Sequence, residues 1–243
     1  MKRVFVGNDV VDLTNDRTEG RGGDERFIGR VFDVEEQSGI RGAGSSDLEL
    51  WSRWAAKEAG FKAISKALGA PPPFVHRAFK VHWSASFDRS QGVVREGTVR
   101  YGELVAQITV ELRPGAVHAV AISAAASRRG IRVEPRVVTI DEPGSRWSHG
   151  LDELKRSFTP QELDAVYSRE SAAVRIGARA DLATRLEVKE DRLEIVCAPG
   201  ATSQRPPRVL LDGREAPADV SLSHDGPWLA WAIWVDPHYG EPT

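Results

Sequence analysis

The sequence of 243 residues has only one cysteine, Cys197. A single thiol excludes an intramolecular disulfide and a zinc site made of several thiolates. Residues 1–9 also lack the apolar core of a secretory signal peptide, because Lys2, Arg3 and Asp9 interrupt the run. We therefore expect a protein of a reducing, cytoplasmic compartment.

An excess of positive charge and a long apolar run are both missing. The 33 lysine and arginine residues are balanced by 35 aspartate and glutamate residues, which gives a formal charge of −2. No global basic field is therefore present to attract nucleic acid. Because no run approaches about 18 apolar residues, no segment is predicted to cross a membrane. The remaining composition, 41% hydrophobic and 28% charged, is that of a globular protein.

Common catalytic loops are absent as well. The sequence contains neither G-x-x-x-x-G-K-[ST] nor G-x-G-x-x-G after a predicted strand, so nothing in it supports a P-loop or Rossmann nucleotide site. It also lacks the G-x-S-x-G elbow of α/β-hydrolases. Ser221, His224 and Asp225 lie too close together along one strand to form a hydrolase triad.

The first half of the sequence predicts a strand, two helices and a β-meander. The strand covers 3–13, and a Gly-rich loop at 19–25, a short helix at 26–36 and a second loop at 39–46 follow. The clearest pattern is a helix over 48–68, which Gly69 and three prolines terminate. Strands are then predicted at 80–86, 92–101, 104–112 and 117–123.

The second half of the sequence repeats this order of elements. Its predicted elements are a strand start at 130–135, a helical segment at 156–163, a helix at 171–188, a strand at 193–197, a Pro-rich loop to 207, and a hairpin of 220–224 and 228–235. Residues 226–233 match residues 115–122 at a glycine, two alanines and an isoleucine. We interpret the order as two copies of one unit. The alternative is chance similarity between two segments that mix helices and strands.

Two carboxylates occupy positions that are unusual for exposed acids. Glu58 shares one helical stripe with Trp54, Phe61 and other residues of an apolar face. An ionised carboxylate there must be paired, hydrogen-bonded or bound to a metal. Asp9 lies within the first predicted strand, so both acids together could hold Mg²⁺ on a phosphate substrate. The alternatives are a surface pair of Glu58 with Lys62 and a local turn role for Asp9.

A polar strand end, S-L-S-H-D-G at 221–226, carries further candidates. Ser221 and Ser223 share one face of the predicted strand, and His224 lies at the edge of the turn. Hydroxyls and an imidazole can donate to phosphate oxygens. The alternative is a polar hairpin end without a ligand.

Three segments together resemble the 4′-phosphopantetheinyl transferase superfamily: GNDVVDL at 7–13, WAAKEAGFKA at 54–63 and SLSH at 221–224. Their order is similar to that of holo-acyl-carrier-protein synthases, whereas the chain length is similar to that of fused pseudodimers. The resemblance implies an α+β fold with two similar lobes, 1–126 and 127–243, related by a pseudo-twofold. Each lobe would be an antiparallel sheet packed with helices, with the active site in the cleft between them.

The resemblance also implies a reaction. The 4′-phosphopantetheine arm of coenzyme A would be transferred to a serine of an acyl or peptidyl carrier protein, with Mg²⁺, and 3′,5′-ADP would be released. The implied site residues are Asp9 and Glu58 for Mg²⁺, Glu58 also as the base, Lys62 on phosphate oxygens, Lys57 on the leaving group, and Ser223, His224 and Ser221 on coenzyme A. A catalytically silent scaffold subunit and a Mg²⁺-dependent phosphohydrolase are the alternatives.

The carrier protein is expected to meet a basic rim, because carriers are acidic around their serine. Arg26 and Arg30 lie on one side of the first short helix, and the resemblance implies that this helix docks the carrier. The alternative is a pair of solvated arginines. Since both lobes lie in one chain, a monomer is expected.

Complementary residue losses in the two halves favour one composite cleft. When Trp54 is aligned with Ile176, Ala180 and Thr184 stand in place of Glu58 and Lys62. The first-strand match places Arg132 in place of Asp9, and the hairpin match places Val110, Leu112 and Arg113 in place of Ser221, Ser223 and His224. One cleft would thus keep the acids of the first lobe and the Ser-His set of the second.

Overall fold

The computed structural model describes residues 4–89, 92–124, 131–197 and 206–239. Helices pack on antiparallel sheets, so the predicted α+β class is confirmed. The predicted boundary after residue 126 and most of the predicted loop before Pro207 lie outside the described residues. Within the described residues, no helix is both long and apolar enough to cross a membrane.

Five strands of the first half form one antiparallel sheet. They are β1 (Val4–Asp12), β2 (Lys80–Arg89), β3 (Gly92–Tyr101), β4 (Leu104–Arg113) and β5 (Ala116–Ala124). The order across the sheet is β1-β5-β4-β3-β2, which confirms the predicted meander and pairs β1 with its last strand. Alternate residues such as Ile108 and Val110 are buried on one face, as the period of a strand requires.

Two short helices replace the single helix that the sequence predicted at 26–36. They are α1 (Glu25–Val31) and α2 (Val34–Gly42), separated by extended backbone at Phe32 and Asp33. Asp33 and Glu36 form a capping box, in which each side chain accepts the backbone N–H of the other residue. The prediction of a loop at 39–46 is therefore wrong for residues 39–42, because these residues belong to α2.

The long helix α3 (Ser46–Leu68) confirms the clearest prediction from the sequence. Ser45 caps its first turn, and Gly69 ends it with a positive φ of 74°. The helix lies close against β1 because Gly7 has no side chain. A Cβ atom at Gly7 would collide with the backbone of Ala59 and Ala63. This close approach brings the middle of α3 to the middle of β1.

The described residues of the second half form three α-helices and two three-stranded sheets. The helices are α4 (Leu151–Lys155), α5 (Pro160–Leu163) and α6 (Arg169–Leu186), and the strands are β6 (Glu134–Thr139), β7 (Leu193–Cys197), β8 (Pro207–Leu211), β9 (Arg214–Glu215), β10 (Ala218–Asp225) and β11 (Trp228–Val235). The sheets have the orders β10-β11-β6 and β7-β8-β9. The hairpin of β10 and β11 was predicted, whereas β8 and β9 were not.

A buried glutamate is held in the same way in both halves. Glu36 accepts Val81 N at 2.9 Å and Lys57 Nζ at 2.8 Å. In the second half Glu162, also the third residue after a capping residue, accepts Ile195 N at 2.9 Å and lies 3.4 Å from an arginine Nη1 of α6. Each glutamate thus ties a short helix to a long helix and to a strand.

The pairing of β6 corrects the predicted alignment of the two halves. Asp9 pairs with Ala119 of β5, and Ala230, which matches Ala119 in the hairpin comparison, pairs with Val137 of β6. Val137 rather than Arg132 is therefore equivalent to Asp9. The sequence alignment had matched glycines, while the register is set by the hydrophobic pattern of the paired strand. The equivalent residue still carries no carboxylate.

Each half buries its own set of apolar side chains. The cluster of the first half includes Ala59, Ile64 and Ile108, which pack α3 on the large sheet. The cluster of the second half extends from Ile140 to Ile233 and surrounds α6. A further small cluster of Val10, Ala116 and Ala230 joins residues of the two halves.

Candidate active site

Strands β1 and β10 lie side by side and are linked through side chains. Four alternate N–H groups of β1 donate to β10: Val6 to Asp219 Oδ2 at 2.7 Å, Asn8 to Ser221 Oγ at 2.9 Å, Val10 to Ser223 Oγ at 3.3 Å and Asp12 to Asp225 Oδ2 at 2.9 Å. These bonds satisfy backbone donors that would otherwise be unpaired. They also fix which residues of the two strands meet. We call these four bonds the β1–β10 ladder.

Asp9 lies between the β1–β10 ladder and α3. Its Oδ1 accepts a hydrogen bond from Lys62 Nζ at 2.9 Å and another from Ser223 Oγ at 2.9 Å. Lys62 also donates to the Asn8 carbonyl at 2.8 Å. Residues from the beginning, the middle and the end of the chain thus meet at one carboxylate, as the motifs had suggested.

Glu58 lies one turn before Lys62 on the same face of α3. Burial and the nearby negative charge of Asp9 raise the pKa of Glu58 to about 7, while the charge of Lys62 acts in the opposite direction. The ring of His76 approaches the Glu58 carboxylate to 3.9 Å and lies 4.6 Å from the ring of Trp54. Glu58 and Asp9 are therefore two repelling acids in a mostly buried setting.

Two cavities meet at Asp9 and His224. The smaller, of about 360 Å³, is lined by Glu58, Trp51 and Trp54 in addition to those two residues. The larger, of about 900 Å³, is lined by the cations of both halves and by apolar side chains: Lys62, Lys66, Arg175, Phe61, Phe74, Tyr167 and several prolines. A cavity of this size can enclose most of a nucleotide-sized molecule. The junction of the two cavities is the candidate active site.

His224 projects from β10 at this junction. Its Nε2 lies 3.3 Å from the Tyr167 hydroxyl. Burial lowers the pKa of His224, and Lys62 and Arg175 lower it further, against the opposing charge of Glu170. The imidazole is therefore mainly neutral at pH 7, so it can donate one hydrogen bond to an oxygen but adds little positive charge.

The serines of the S-L-S-H motif have structural partners. Ser221 is buried and accepts the Asn8 N–H, and Ser223 accepts the Val10 N–H while donating to Asp9. Both residues also line the larger cavity. They hold β1 and β10 together, in addition to facing the space where a ligand could bind.

The structure does not bring Lys57 to the site. Its side chain is fully buried and donates to Glu36 Oε2 at 2.8 Å, to the His76 carbonyl at 3.1 Å and to the Phe79 carbonyl. Lys57 lines neither of the two cavities. Contact with a leaving group, as the resemblance implied, does not agree with this position, because every ammonium hydrogen has a protein acceptor.

Arg26 and Arg30 are exposed on α1, at a distance from the two cavities. The Arg30 guanidinium lies 5.8 Å from the ring of Phe27, which in turn stacks at 5.7 Å on Trp54. Since Trp54 lines the smaller cavity, Arg30 flanks the outside of that cavity's aromatic wall, and Arg26 lies one helical turn before it on α1. Their position leaves them accessible to a protein partner.

Two cations of the larger cavity were not selected from the sequence. Lys66 follows Lys62 by one turn and binds Asp219 Oδ2 at 2.9 Å and the carbonyls of Val6 and Val220. Its helical spacing from Lys62 was a usable signal. Arg175 belongs to no motif, so only the packing of α6 beside β10 reveals it.

Two carboxylates are available for a metal at the junction. Within the described residues, no group of three or more His, Cys, Asp and Glu side chains could hold an ion. Mg²⁺ does not require such a group, because it takes one or two carboxylates together with water and substrate phosphates. Burial, and after it the negative charge of Asp9, raise the pKa of Glu58, and such a pair of acids fits a site that gains a divalent cation with its substrate.

Comparisons with known proteins bear on the first half of the chain. Residues 5–109 match the sequence model of the 4′-phosphopantetheinyl transferase superfamily. A holo-[acyl-carrier-protein] synthase of Shewanella amazonensis is 32% identical over 76 residues, which are 31% of this chain and 61% of that protein. A mitochondrial holo-[acyl-carrier-protein] synthase of Eremothecium gossypii is 32% identical over 84 residues, which are 32% of this chain and 48% of that protein. The chain thus spans about half of the length of these relatives.

Solved structures give a weaker similarity. The crystal structure of holo-[acyl-carrier-protein] synthase from Neisseria meningitidis has a TM-score of 0.36 and 20% identity, with 49% of this chain and 96% of that chain covered. The structure from Thermotoga maritima has a TM-score of 0.35 and 18% identity, with 55% and 70% covered.

The site thus consists of Asp9 on β1 and of Glu58 and Lys62 on α3, within an α+β fold. The segment 5–109, which matches the model of the 4′-phosphopantetheinyl transferase superfamily, carries Asp9, Glu58 and Lys62.

Proposed function

We propose that the protein transfers the 4′-phosphopantetheine arm of coenzyme A to a serine of an apo acyl or peptidyl carrier protein. The supporting observation is the meeting of Asp9, Lys62 and His224 where a cavity of about 360 Å³ joins one of about 900 Å³. The larger cavity has room for coenzyme A, and Glu58 lines the smaller one. Two relatives are named holo-[acyl-carrier-protein] synthases, which agrees with this reaction.

The transfer joins the serine oxygen to the β-phosphorus of coenzyme A and breaks the bond from that phosphorus to the bridging oxygen. The arm leaves on the carrier, and 3′,5′-ADP departs with the bridging oxygen. Glu58 accepts the serine proton, directly or through water, and later releases it to solvent. Lys62 neutralises phosphate oxygens, and Ser223 and His224, with Ser221, orient them.

Asp9 and Glu58 hold Mg²⁺ in this scheme, and the ion stabilises negative charge on the pyrophosphate when it is bound. The lysine bound to Asp9 keeps the carboxylate in place at the strand. We assign no leaving-group role to Lys57, because its ammonium is buried against Glu36.

We further propose that the chain has two lobes, 1–126 and 127–243, related by a pseudo-twofold. The recurrence of the buried glutamate, Glu36 in one half and Glu162 in the other, supports duplication of a common unit. Since both sides of the cleft then come from one chain, we propose a monomer. A chain with one cysteine also suits the cytoplasm.

Intact-mass spectrometry of a panel of apo carrier proteins tests the transfer. Carriers incubated with the protein, coenzyme A and Mg²⁺ are expected to gain the mass of one phosphopantetheine arm. EDTA and Glu58→Ala should abolish this gain, whereas Glu153→Gln, which removes an exposed carboxylate on α4, should leave it unchanged.

Other outcomes separate the alternatives. Release of 3′,5′-ADP without a carrier would indicate a phosphohydrolase. Coenzyme A binding without modification of any carrier would indicate a silent scaffold. Near-normal transfer by Glu58→Ala would contradict the assigned base.

A further inference from the structure

His76 has a buried ring nitrogen that has no hydrogen-bond partner among the described residues. The residue begins a short 3-10 turn, His76–Ala78, which lies between α3 and β2. The unpartnered atom is Nε2, and it lies 3.9 Å from Oε1 of Glu58. Burial of a ring nitrogen is unfavourable unless a polar group meets it. The Glu58 carboxylate is the group that this nitrogen approaches.

The Glu58 carboxylate also lacks partners. No described residue donates a hydrogen bond to it, and the charges that act on it are those of Asp9 and Lys62. A mostly buried carboxylate normally accepts hydrogen bonds, because an unsatisfied charge is costly there. The ring nitrogen and the carboxylate are thus two unsatisfied groups, separated by about 1 Å more than a hydrogen bond.

The backbone of His76 is fixed against α3. Its carbonyl accepts Lys57 Nζ at 3.1 Å, and the same ammonium donates to Glu36 and to the Phe79 carbonyl. The Phe79 N–H also donates to the His76 carbonyl, at 3.1 Å. Lys57 therefore holds in place the turn that carries the imidazole.

Aromatic side chains hold the imidazole ring itself. Its centroid lies 4.6 Å from that of Trp54, with 30° between the ring planes, and 4.3 Å from that of Phe74. Trp54 lines the smaller cavity, whereas His76 lines neither cavity. The imidazole is therefore placed to act on Glu58 rather than on a ligand.

The imidazole of His76 is neutral at pH 7. Burial lowers the pKa of His76, and the charges of Lys57 and Arg30 lower it further. A neutral imidazole has one N–H donor and one acceptor nitrogen. Because Nε2 faces a carboxylate, which accepts hydrogen bonds, the ring proton belongs on Nε2.

We propose that His76 donates an Nε2–H hydrogen bond to Oε1 of Glu58 and so holds the carboxylate with its other oxygen toward the junction of the two cavities. This inference rests on the proposed function, since it takes Glu58 as the base of the transfer. His76 is a positioning residue, because it contacts no substrate and keeps its single ring proton throughout the reaction. The separation of 3.9 Å shortens when substrate binds, since catalytic hydrogen bonds are often long in the free enzyme.

Steady-state transfer kinetics at saturating Mg²⁺ test the proposal. His76→Phe keeps an aromatic ring against Trp54 but removes the donor, so kcat should fall by roughly tenfold to hundredfold. The KM values for coenzyme A and for the carrier should be unchanged. His76→Gln, whose amide nitrogen can replace Nε2 as a donor, should recover part of the loss. His149→Phe, the same change at an exposed histidine before α4, should leave kcat unchanged.

A histidine that only fills space in the aromatic wall would give a different pattern. His76→Gln, which removes the ring, would then be more damaging than His76→Phe, and the melting temperature would fall together with kcat. That pattern would overturn the proposal. A kcat of His76→Phe equal to that of the parent protein would also overturn it, and so would a raised KM with an unchanged kcat.

Nitrogen NMR of the imidazole tests the hydrogen bond without carrier or coenzyme A. At pH 7 a long-range proton–nitrogen correlation spectrum should show His76 as the Nε2–H tautomer. Glu58→Ala should shift the Nε2 resonance, whereas Glu153→Gln on α4 should not. An Nδ1–H tautomer would overturn the proposal, and so would an Nε2 resonance that does not respond to Glu58→Ala.

The two readouts separate this inference from the proposed transfer. If the Nε2 resonance responds to Glu58→Ala but no carrier is modified, the hydrogen bond to Glu58 is supported and the transferase proposal fails. If carriers are modified and His76→Phe transfers as fast as the parent protein, the transferase proposal is supported and the role of His76 is overturned.

Discussion

Glu58 is mostly buried, and it lies near the acid Asp9 of β1 and the base Lys62 of α3. Its pKa of about 7 means that the folded protein keeps a proton that the unfolded chain loses near pH 4.5. Between these two values the folded state binds more protons, so the free energy of unfolding falls as pH rises. Above pH 7 Glu58 is ionised in both the folded and the unfolded state, so the free energy of unfolding does not fall further on its account.

Glu58→Gln is expected to remove this pH dependence. In metal-free buffer the variant should be as stable as the parent below pH 4.5 and more stable above pH 7, by on the order of 2 kcal/mol. Denaturant unfolding at a series of pH values measures the difference between the two proteins. Parallel stability curves across this range would show that Glu58 is not perturbed.

The meeting of Asp9, Glu58, Lys62 and Ser223 could be predicted from the sequence, because each belongs to a segment with a recognisable pattern. The burial of Lys57 could not, since its partner Glu36 lies on another helix and the spacing along α3 does not reveal it. Residues that depend on packing between distant segments carry no local signal.

At the scale of elements, the close packing of α3 on β1 depends on one glycine. Gly7→Ala would place a Cβ atom against the α3 backbone at Ala59 and Ala63, and backbone cannot move aside like a flexible side chain. We expect the free energy of unfolding to fall by roughly 1–3 kcal/mol. Displacement of α3 would also separate Lys62 from Asp9, so transfer should fall in parallel.

Gly29→Ala is the matched control for this prediction. Gly29 lies inside α1, and an added Cβ atom there meets nothing within 4 Å. Alanine in a helix interior should increase stability by roughly 0.5–1 kcal/mol. Chemical denaturation of both variants measures the contrast, and equal stability of the two would argue against the close approach at Gly7.

Elements with strong local signals were predicted well. The helix α3 has a capping serine and a terminal glycine, and the strands of the meander alternate in polarity. The break between α1 and α2 was missed, since the apolar spacing continues through Phe32 while the capping box of Asp33 and Glu36 starts a new helix. The start of β6 was misplaced because the pairing partner, rather than the glycine pattern, sets the register.

At the scale of the whole molecule, a net charge of −2 must be reconciled with the acidic carrier protein that we propose as the partner. Arg26 and Arg30 supply local positive charge on α1, and Arg30 lies beside the aromatic wall of the smaller cavity. Arg26→Glu with Arg30→Glu should raise the KM for the carrier by roughly tenfold or more through repulsion, while the affinity for coenzyme A is unchanged. Steady-state kinetics and calorimetry measure these two quantities.

A double variant at distant exposed sites controls for the change in net charge. Arg100→Glu with Arg156→Glu alters the total by the same amount at exposed sites on β3 and at the end of α4. It should leave the KM for the carrier nearly unchanged at physiological salt, where charges beyond about 8 Å are screened. Equal effects of both double variants would contradict a docking role for α1.

The β1–β10 ladder fixes which residues of the two strands face each other, because its four hydrogen bonds form or are lost together. Its acceptors Asp219, Ser221, Ser223 and Asp225 recur at every second residue. A slip of one residue would turn all of these side chains away together and present Val220, Leu222 and His224, of which only His224 can accept a hydrogen bond through its side chain. A one-residue shift therefore cannot rebuild the β1–β10 ladder. A single-residue deletion in β10 is expected to separate the two strands rather than to shift one along the other.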